Sequence, residues 1–180
     1  VGTWLGGAVL WFIYQMLSQS AYMNALRERT EVADNLSTLI DVVACRSGLK
    51  SKPEVRFAAD NSGPMVTGVA RPVIVLPTGF ADNFTPRQQM FALLHECTHI
   101  RRKDMWAALA VLAFRALNWP NPLIHYAAYK FRADQEAACD AAVLKLTDGN
   151  PDTAHSYAET LIQAAKYSNS QGAMQPLGLT

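Results

Sequence analysis

His95-Glu96-Cys97-Thr98-His99 groups the side chains best able to do chemistry in this chain. On a helix of about 3.6 residues per turn, residues four apart lie roughly 40° apart around the axis, so both imidazoles project to one side and can grip one small ion. Zn²⁺ accepts imidazole nitrogens, and a catalytic zinc keeps one position open for water. Glu96 lies beside that face, where it could take the proton of such a water. The spacing is the H-E-x-x-H pattern of zinc metallopeptidases. A pair of histidines that merely caps or lines a surface helix is the plainer reading, but two of the chain's four histidines fall here with Glu between them.

A single Zn²⁺ held this way needs a third ligand. His125, Glu136, Cys139, Asp140 and His155 lie downstream. Glu136 and Asp140 are four apart on a predicted helix and share a face. The natural division puts Glu136 on the metal and lets Asp140 orient a ligating histidine through its other ring nitrogen. Ala137, Ala138, Cys139, Ala141, Ala142 and Val143 around them predict a largely apolar, buried helix, where carboxylates need partners. A solvated acidic stripe is the plainer reading of the pair. Cys97, two residues from each histidine, reads as core; Cys139 could lie near the zinc but reads as packing. His155 could stabilise an oxyanion, or simply cap or sit on the surface. His125 reads as structural, and Tyr126, Tyr129 and Tyr157 as core or interfacial.

The elements that must position these residues are mostly helical. Val32, Leu36, Leu39, Ile40, Val43 and Ala44 predict a helix over 31–49, with Gly48 near its stop. Strands are predicted at Glu54–Ala58, Met65–Val69 and Pro72–Leu76, the last two joined by a turn near Ala70–Arg71. Thr85-Pro86-Arg87-Gln88 combines a cap, a proline at the first helical position and a capping-box Gln, so a helix starts there and runs to Arg101 or Arg102. Further helices are predicted over Met105–Phe114, from Pro122 to Thr147, and from an Asp152 cap to about Tyr167. Extended substrates commonly add to an exposed strand edge, which makes Val66, Thr67 and Gly68 the candidate substrate-binding segment; an ordinary edge strand is the alternative.

The chain has 180 residues, 50% of them hydrophobic and 17% charged, which suits one domain with a real core and excludes wholesale disorder. With 16 basic against 15 acidic residues, it has no footprint for direct nucleic-acid binding. Three scattered cysteines make no disulfide scaffold. No charge occurs from Val1 to Leu26, and Val1–Leu17 is strongly apolar with Trp4, Trp11 and Tyr14. That stretch is a candidate membrane helix contacting lipid. The chain therefore divides into a membrane-associated segment over 1–26, a metallopeptidase domain over 27–167 and a tail over 168–180. The chain begins with Val rather than Met and reads as a piece of a longer protein.

Four blocks carry a resemblance: Gly63–Gly68 with Arg71–Pro77, Leu94–Asp104, Asn118–Leu123 and Glu136–Leu144. In their order and spacing the chain resembles the BlaR/MecR-type sensor-transducers, membrane zinc metallopeptidases of the gluzincin class. The resemblance implies an α+β domain, mostly helical, with a small antiparallel sheet before the H-E-x-x-H helix. It carries His95, His99 and Glu136 over as ligands of one Zn²⁺, Glu96 as the catalytic glutamate and Asp140 as the Asp of E-x-x-x-D. It also implies a bacterial cytoplasmic membrane, with the protease domain facing the cytoplasm. The polypeptide cut would be a transcriptional repressor or the receptor itself. A housekeeping membrane protease and a non-catalytic zinc-containing signalling module are the alternatives. Typical members have several membrane helices and an external sensor; here one candidate segment and no sensor are visible, so no stimulus is assigned.

Overall fold

The computed structural model describes residues 2–29, 31–58 and 63–170. Its first element, α1 (Gly2–Arg29), exposes Trp4, Leu5, Val9, Leu10, Ile13, Tyr14 and Leu17. Among the described residues no helix is long and apolar enough to cross a membrane. Gln15, Ser18, Gln19, Ser20 and Asn24 interrupt the run expected over 1–26, leaving less than the roughly 20 apolar residues of a span.

A two-residue strand β1 (Glu31–Val32) and a 3-10 turn (Asp34–Leu36) precede α2 (Ser37–Ser47), so the predicted helix over 31–49 begins later than expected. Gly48 ends it as predicted, in the left-handed region at φ 76°, with its N–H donating to the Cys45 carbonyl at 3.0 Å. Strands β2 (Glu54–Ala58), β3 (Met65–Thr67) and β4 (Val73–Pro77) complete a sheet of order β1-β2-β4-β3.

The sheet is mixed, which corrects the antiparallel expectation. β4 runs antiparallel to β3 but parallel to β2. Every residue of β4 is buried, so it takes the centre with a partner on each side. The short turn after β3 makes that pair antiparallel. The chain reaches β4 only by way of the edge, and so arrives parallel to β2.

A short helix α3 (Phe80–Asn83) leads to α4 (Pro86–Arg102). The predicted capping box is present: the Gln88 N–H donates to Thr85 Oγ1 at 3.4 Å, and the Thr85 N–H donates to Gln88 Oε1 at 2.9 Å. Lys103, at φ 60°, turns the chain into α5 (Asp104–Leu117). Helix α6 (Pro122–Leu146) follows an Asn121 cap, and α7 (Pro151–Ser170) ends the described chain. Asn150, not Asp152, caps α7; its Oδ1 accepts from the Thr153 N–H at 2.7 Å. Because α7 runs to Ser170, the expected tail begins later, and its residues 171–180 lie outside the described residues.

Helix α4 is the axis of the domain. Phe91, Leu93, Leu94 and Cys97 are buried, packed with Ile40 and Val43 of α2, Val55, Val66, Ile74 and Leu76 of the sheet, Val143 of α6 and Tyr157 of α7. Each such side chain contributes about 1.5–3 kcal/mol by leaving water, and the surrounding elements hold the axis rigidly. Cys97 is thus core, as its spacing implied.

Helix α6 departs from expectation. Only Cys139 and Val143 are buried along its 25 residues. Ala127, Ala133, Ala137, Ala138 and Ala141 face outward, and the helix meets α4 through a narrow stripe at helical spacing. The premise that burial forces Glu136 and Asp140 to find partners therefore fails; their side chains are 58% and 35% exposed.

Candidate metal centre

Four residues apart on α4, His95 and His99 bring their Nε2 atoms within 3.0 Å of each other. Glu136, reaching across from α6, places Oε2 3.5 Å from His95 Nε2 and 3.6 Å from His99 Nε2. Tetrahedral zinc with nitrogen ligands at about 2.0–2.1 Å spaces its donors roughly 3.3 Å apart. The three sequence-predicted ligand atoms form a triangle of that size.

The other ring nitrogens say more. His99 Nδ1 lies 2.7 Å from Asp104 Oδ2. A carboxylate only accepts, so Nδ1 carries the proton. His95 Nδ1 lies 2.7 Å from the Tyr157 hydroxyl, which itself donates to Asp140 Oδ1 at 2.6 Å. With the hydroxyl proton committed to Asp140, its oxygen accepts from His95 Nδ1. In the neutral rings both Nε2 atoms then carry lone pairs, aimed at one another and at a carboxylate oxygen. Three acceptors converging like this require something positive between them, a proton or a cation. The donor set and its spacing fit Zn²⁺.

Electrostatics tell the same story. Burial disfavours the His95 and His99 cations, but hydrogen bonds outweigh it, from Asp140, Cys139 and Glu136 at His95 and from Cys139 and Glu136 at His99. His99 is pushed up to about 11. The same two imidazoles hold the Glu136 carboxyl well below the usual carboxylate range.

Glu96 is buried, 6% exposed, on the adjacent strip of α4. Burial raises its carboxyl above the ordinary value, His95 and His99 pull it back, and Glu136 adds to the rise. The backbone N–H of Val66 in β3 donates to it. Val66 is thus brought to the centre. Thr67 and Gly68 lie further along: the Thr67 hydroxyl donates to Met23 Sδ of α1 at 3.2 Å, and Gly68 sits in a turn at φ 88°. A Cβ on Gly68 would meet the Arg71 carbonyl oxygen at 2.8 Å, so the turn, not an approaching peptide, accounts for glycine there.

Sequence reasoning gave Asp104 no role and read Tyr157 as packing. A signal existed for Asp104, since an acid five residues after the second histidine, just past a helix end, can fold back onto it. None existed for Tyr157, which is 62 residues from His95. Asp140 reaches His95 both directly, at 3.3 Å, and through Tyr157. His155 pairs with Glu159 at 3.2 Å on the surface, and His125 Nε2 contacts the Trp119 carbonyl at 3.0 Å; neither joins the centre. Cys139 is buried, with Sγ 3.8 Å from His95 Nδ1, and it offers a donor within 4.8 Å of one on each histidine. Glu136 sets one oxygen near both Nε2 atoms, whereas Cys139 Sγ lies nearest His95 Nδ1, the nitrogen engaged by Tyr157, and also hydrogen-bonds His99.

The family model described as BlaR1 peptidase M56 matches residues 1–177. The chain is 26% identical over 147 residues to the regulatory protein BlaR1 of Bacillus licheniformis, covering 81% of this chain and 24% of that protein. It is 24% identical over 146 residues to a methicillin resistance mecR1 protein of Staphylococcus aureus, covering 79% and 24%. Against the regulatory protein BlaR1 of Staphylococcus aureus it is 20% identical over 163 residues, covering 87% and 28%. The chain spans about a quarter of the length of the curated relatives it matches.

Proposed function

Because the chain belongs to the BlaR1 peptidase M56 family, we propose that it is the zinc-dependent endopeptidase part of a bacterial membrane signalling receptor. The observation that carries this reading is the convergence of His95 Nε2, His99 Nε2 and Glu136 Oε2 within 3.6 Å, with Glu96 buried alongside. Its polypeptide substrate is a repressor, the receptor itself, or both, and the protease part faces the cytoplasm.

When bound by these three residues, Zn²⁺ supplies Lewis acidity toward a carbonyl and acidifies water. Glu96 accepts the proton of the attacking water and passes it to the leaving amine. The Val66 amide fixes the Glu96 carboxylate in its orientation. Asp104 and the Tyr157–Asp140 pair hold the Nδ1 protons, so both imidazoles present Nε2. The β3 edge at Met65–Thr67 lies beside this group and receives the extended chain.

Purified protein loaded with Zn²⁺ should cut unstructured peptides, stop on addition of a chelator and resume on return of Zn²⁺. A zinc-loaded protein with no chelator-sensitive cleavage of any peptide would refute the reading. Cys139 favours a second reading, a structural zinc whose shell it closes as a fourth ligand, which leaves no room for water. Cys139→Ser decides between them: full zinc retention with full cleavage excludes closure by the thiol.

The Asp104 carboxylate should matter without touching metal. Asp104→Asn is expected to weaken zinc affinity by about 10–100-fold, the usual cost of losing a partner that orients a ligating histidine. Competition against a chromogenic chelator measures it, and an unchanged affinity would mean that Asp104 does not orient His99.

A further inference from the structure

We infer that Arg115 of α5 and Arg132 of α6 form a carboxylate-binding subsite for the peptide substrate, adjoining the His95–His99–Glu136 face. The inference rests on the peptidase reading above and names one feature of its substrate: an acidic side chain or a terminal carboxylate near the scissile bond.

Both arginines line one cavity of about 210 Å³ between α5 and α6, with His125, Tyr129 and Gln135 on its wall. Neither forms an ion pair among the described residues. Among the described residues, Arg115 Nε is buried with no hydrogen-bond partner. An unpartnered buried donor on a charged group is costly, and a second guanidinium in the same cavity adds repulsion. Burial lowers the Arg132 pKa, Arg115 lowers it further, and Glu136 one turn away offsets only part of this. Such a pair is what an anion would relieve, and the planar fork of arginine suits a carboxylate held by paired hydrogen bonds.

Position selects the occupant. Arg132 and Gln135 also line the neighbouring cavity of about 200 Å³, together with His95, Glu96, His99 and Glu136. The two cavities share a wall. Arg132 stands four residues, about 6 Å along α6, before Glu136. Glu136 does not fill the role itself, because its carboxylate faces the two imidazoles. A carboxylate held by Arg115 and Arg132 therefore belongs to the chain being cut, a residue or so from the reacting bond. A phospholipid phosphate is the rival anion, since Phe114, Leu117, Tyr126 and Tyr129 are exposed nearby.

The test measures binding to zinc-loaded Glu96→Gln protein, so no turnover is needed. The probes are fluorescent unstructured peptides in which one position, moved along the chain, is Glu in one member of a pair and Gln in the other. At one position the Glu peptide should bind about tenfold tighter than its partner, a difference of about 1.4 kcal/mol. Arg115→Gln or Arg132→Gln alone should bring it down to the Gln level, and inorganic phosphate should compete with the Glu peptide only. Two variants keep the test decisive if one fails to fold. Equal binding of Glu and Gln at every position overturns the inference. So does a preference that survives both substitutions, including the case in which the substitutions abolish only binding to phosphatidylglycerol vesicles. Absence of cleavage by the parent protein would overturn the peptidase reading and leave this binding preference intact.

Discussion

Glu96→Gln should cut peptide cleavage by about 10²–10⁴-fold while leaving zinc in place, the usual range for a positioned acid–base group. The substitution is nearly isosteric. Gln keeps an oxygen for the Val66 N–H and preserves the packing of a side chain only 6% exposed, but it cannot accept a proton at neutral pH. Adjacent to His95, Glu96 points about 100° around the helix from it, off the ligand line, so zinc content should stay at parent level. The two readouts are initial rate and zinc-to-protein ratio. A variant that cleaves like the parent removes Glu96 from the chemistry. One that loses zinc and activity together makes it a ligand or a structural support.

His95→Ala and His99→Ala should instead empty the centre, taking the zinc-to-protein ratio from near one to near zero. Their effect has a pH signature in the parent. Without metal, His99 is pushed up to about 11, and His95 is raised too, because nearby acceptors outweigh burial. A raised imidazole adds stability that is complete below its unfolded value, 6.5, and is lost as pH rises through about 11. Glu136 is depressed, so its share is present above 4.5 and is lost as pH falls. Zinc requires the imidazoles neutral, so its binding releases protons and strengthens as pH rises. Melting temperatures from pH 5.5 to 8.5, with chelator and with Zn²⁺, should therefore diverge upward with pH in the parent and stay together in both alanine variants. A zinc-induced shift that ignores pH in the parent would mean the metal binds elsewhere.

The local code was legible where one helix holds all the information. His95, Glu96 and His99 sit on α4 as their spacing requires, and Thr85, Pro86 and Gln88 start that helix as predicted. Glu136 was singled out on a premise that fails. Its helix is not buried, and the carboxylate reaches the imidazoles from a half-exposed position. The apolar run over 1–26 was legible too, but not the packing of its helix. A run of uncharged residues looks apolar until the polar Gln, Ser and Asn within it are weighed, and burial of Gln15 in a helix packed on α5 cannot be foreseen from composition.

Short-range order was thus determined by the chain itself: helical period, capping boxes, glycine stops and the side of α4 that carries both imidazoles. These depend on neighbours three or four residues away, whose geometry the backbone dictates. What only tertiary structure decided is the parallel pairing of β2 with β4, the clasp of Tyr157 and Asp140 on His95, the return of Asp104 to His99, and the isolation of Arg115 beside Arg132. Each joins groups whose meeting depends on how the helices and strands pack, and no local pattern of residues encodes that.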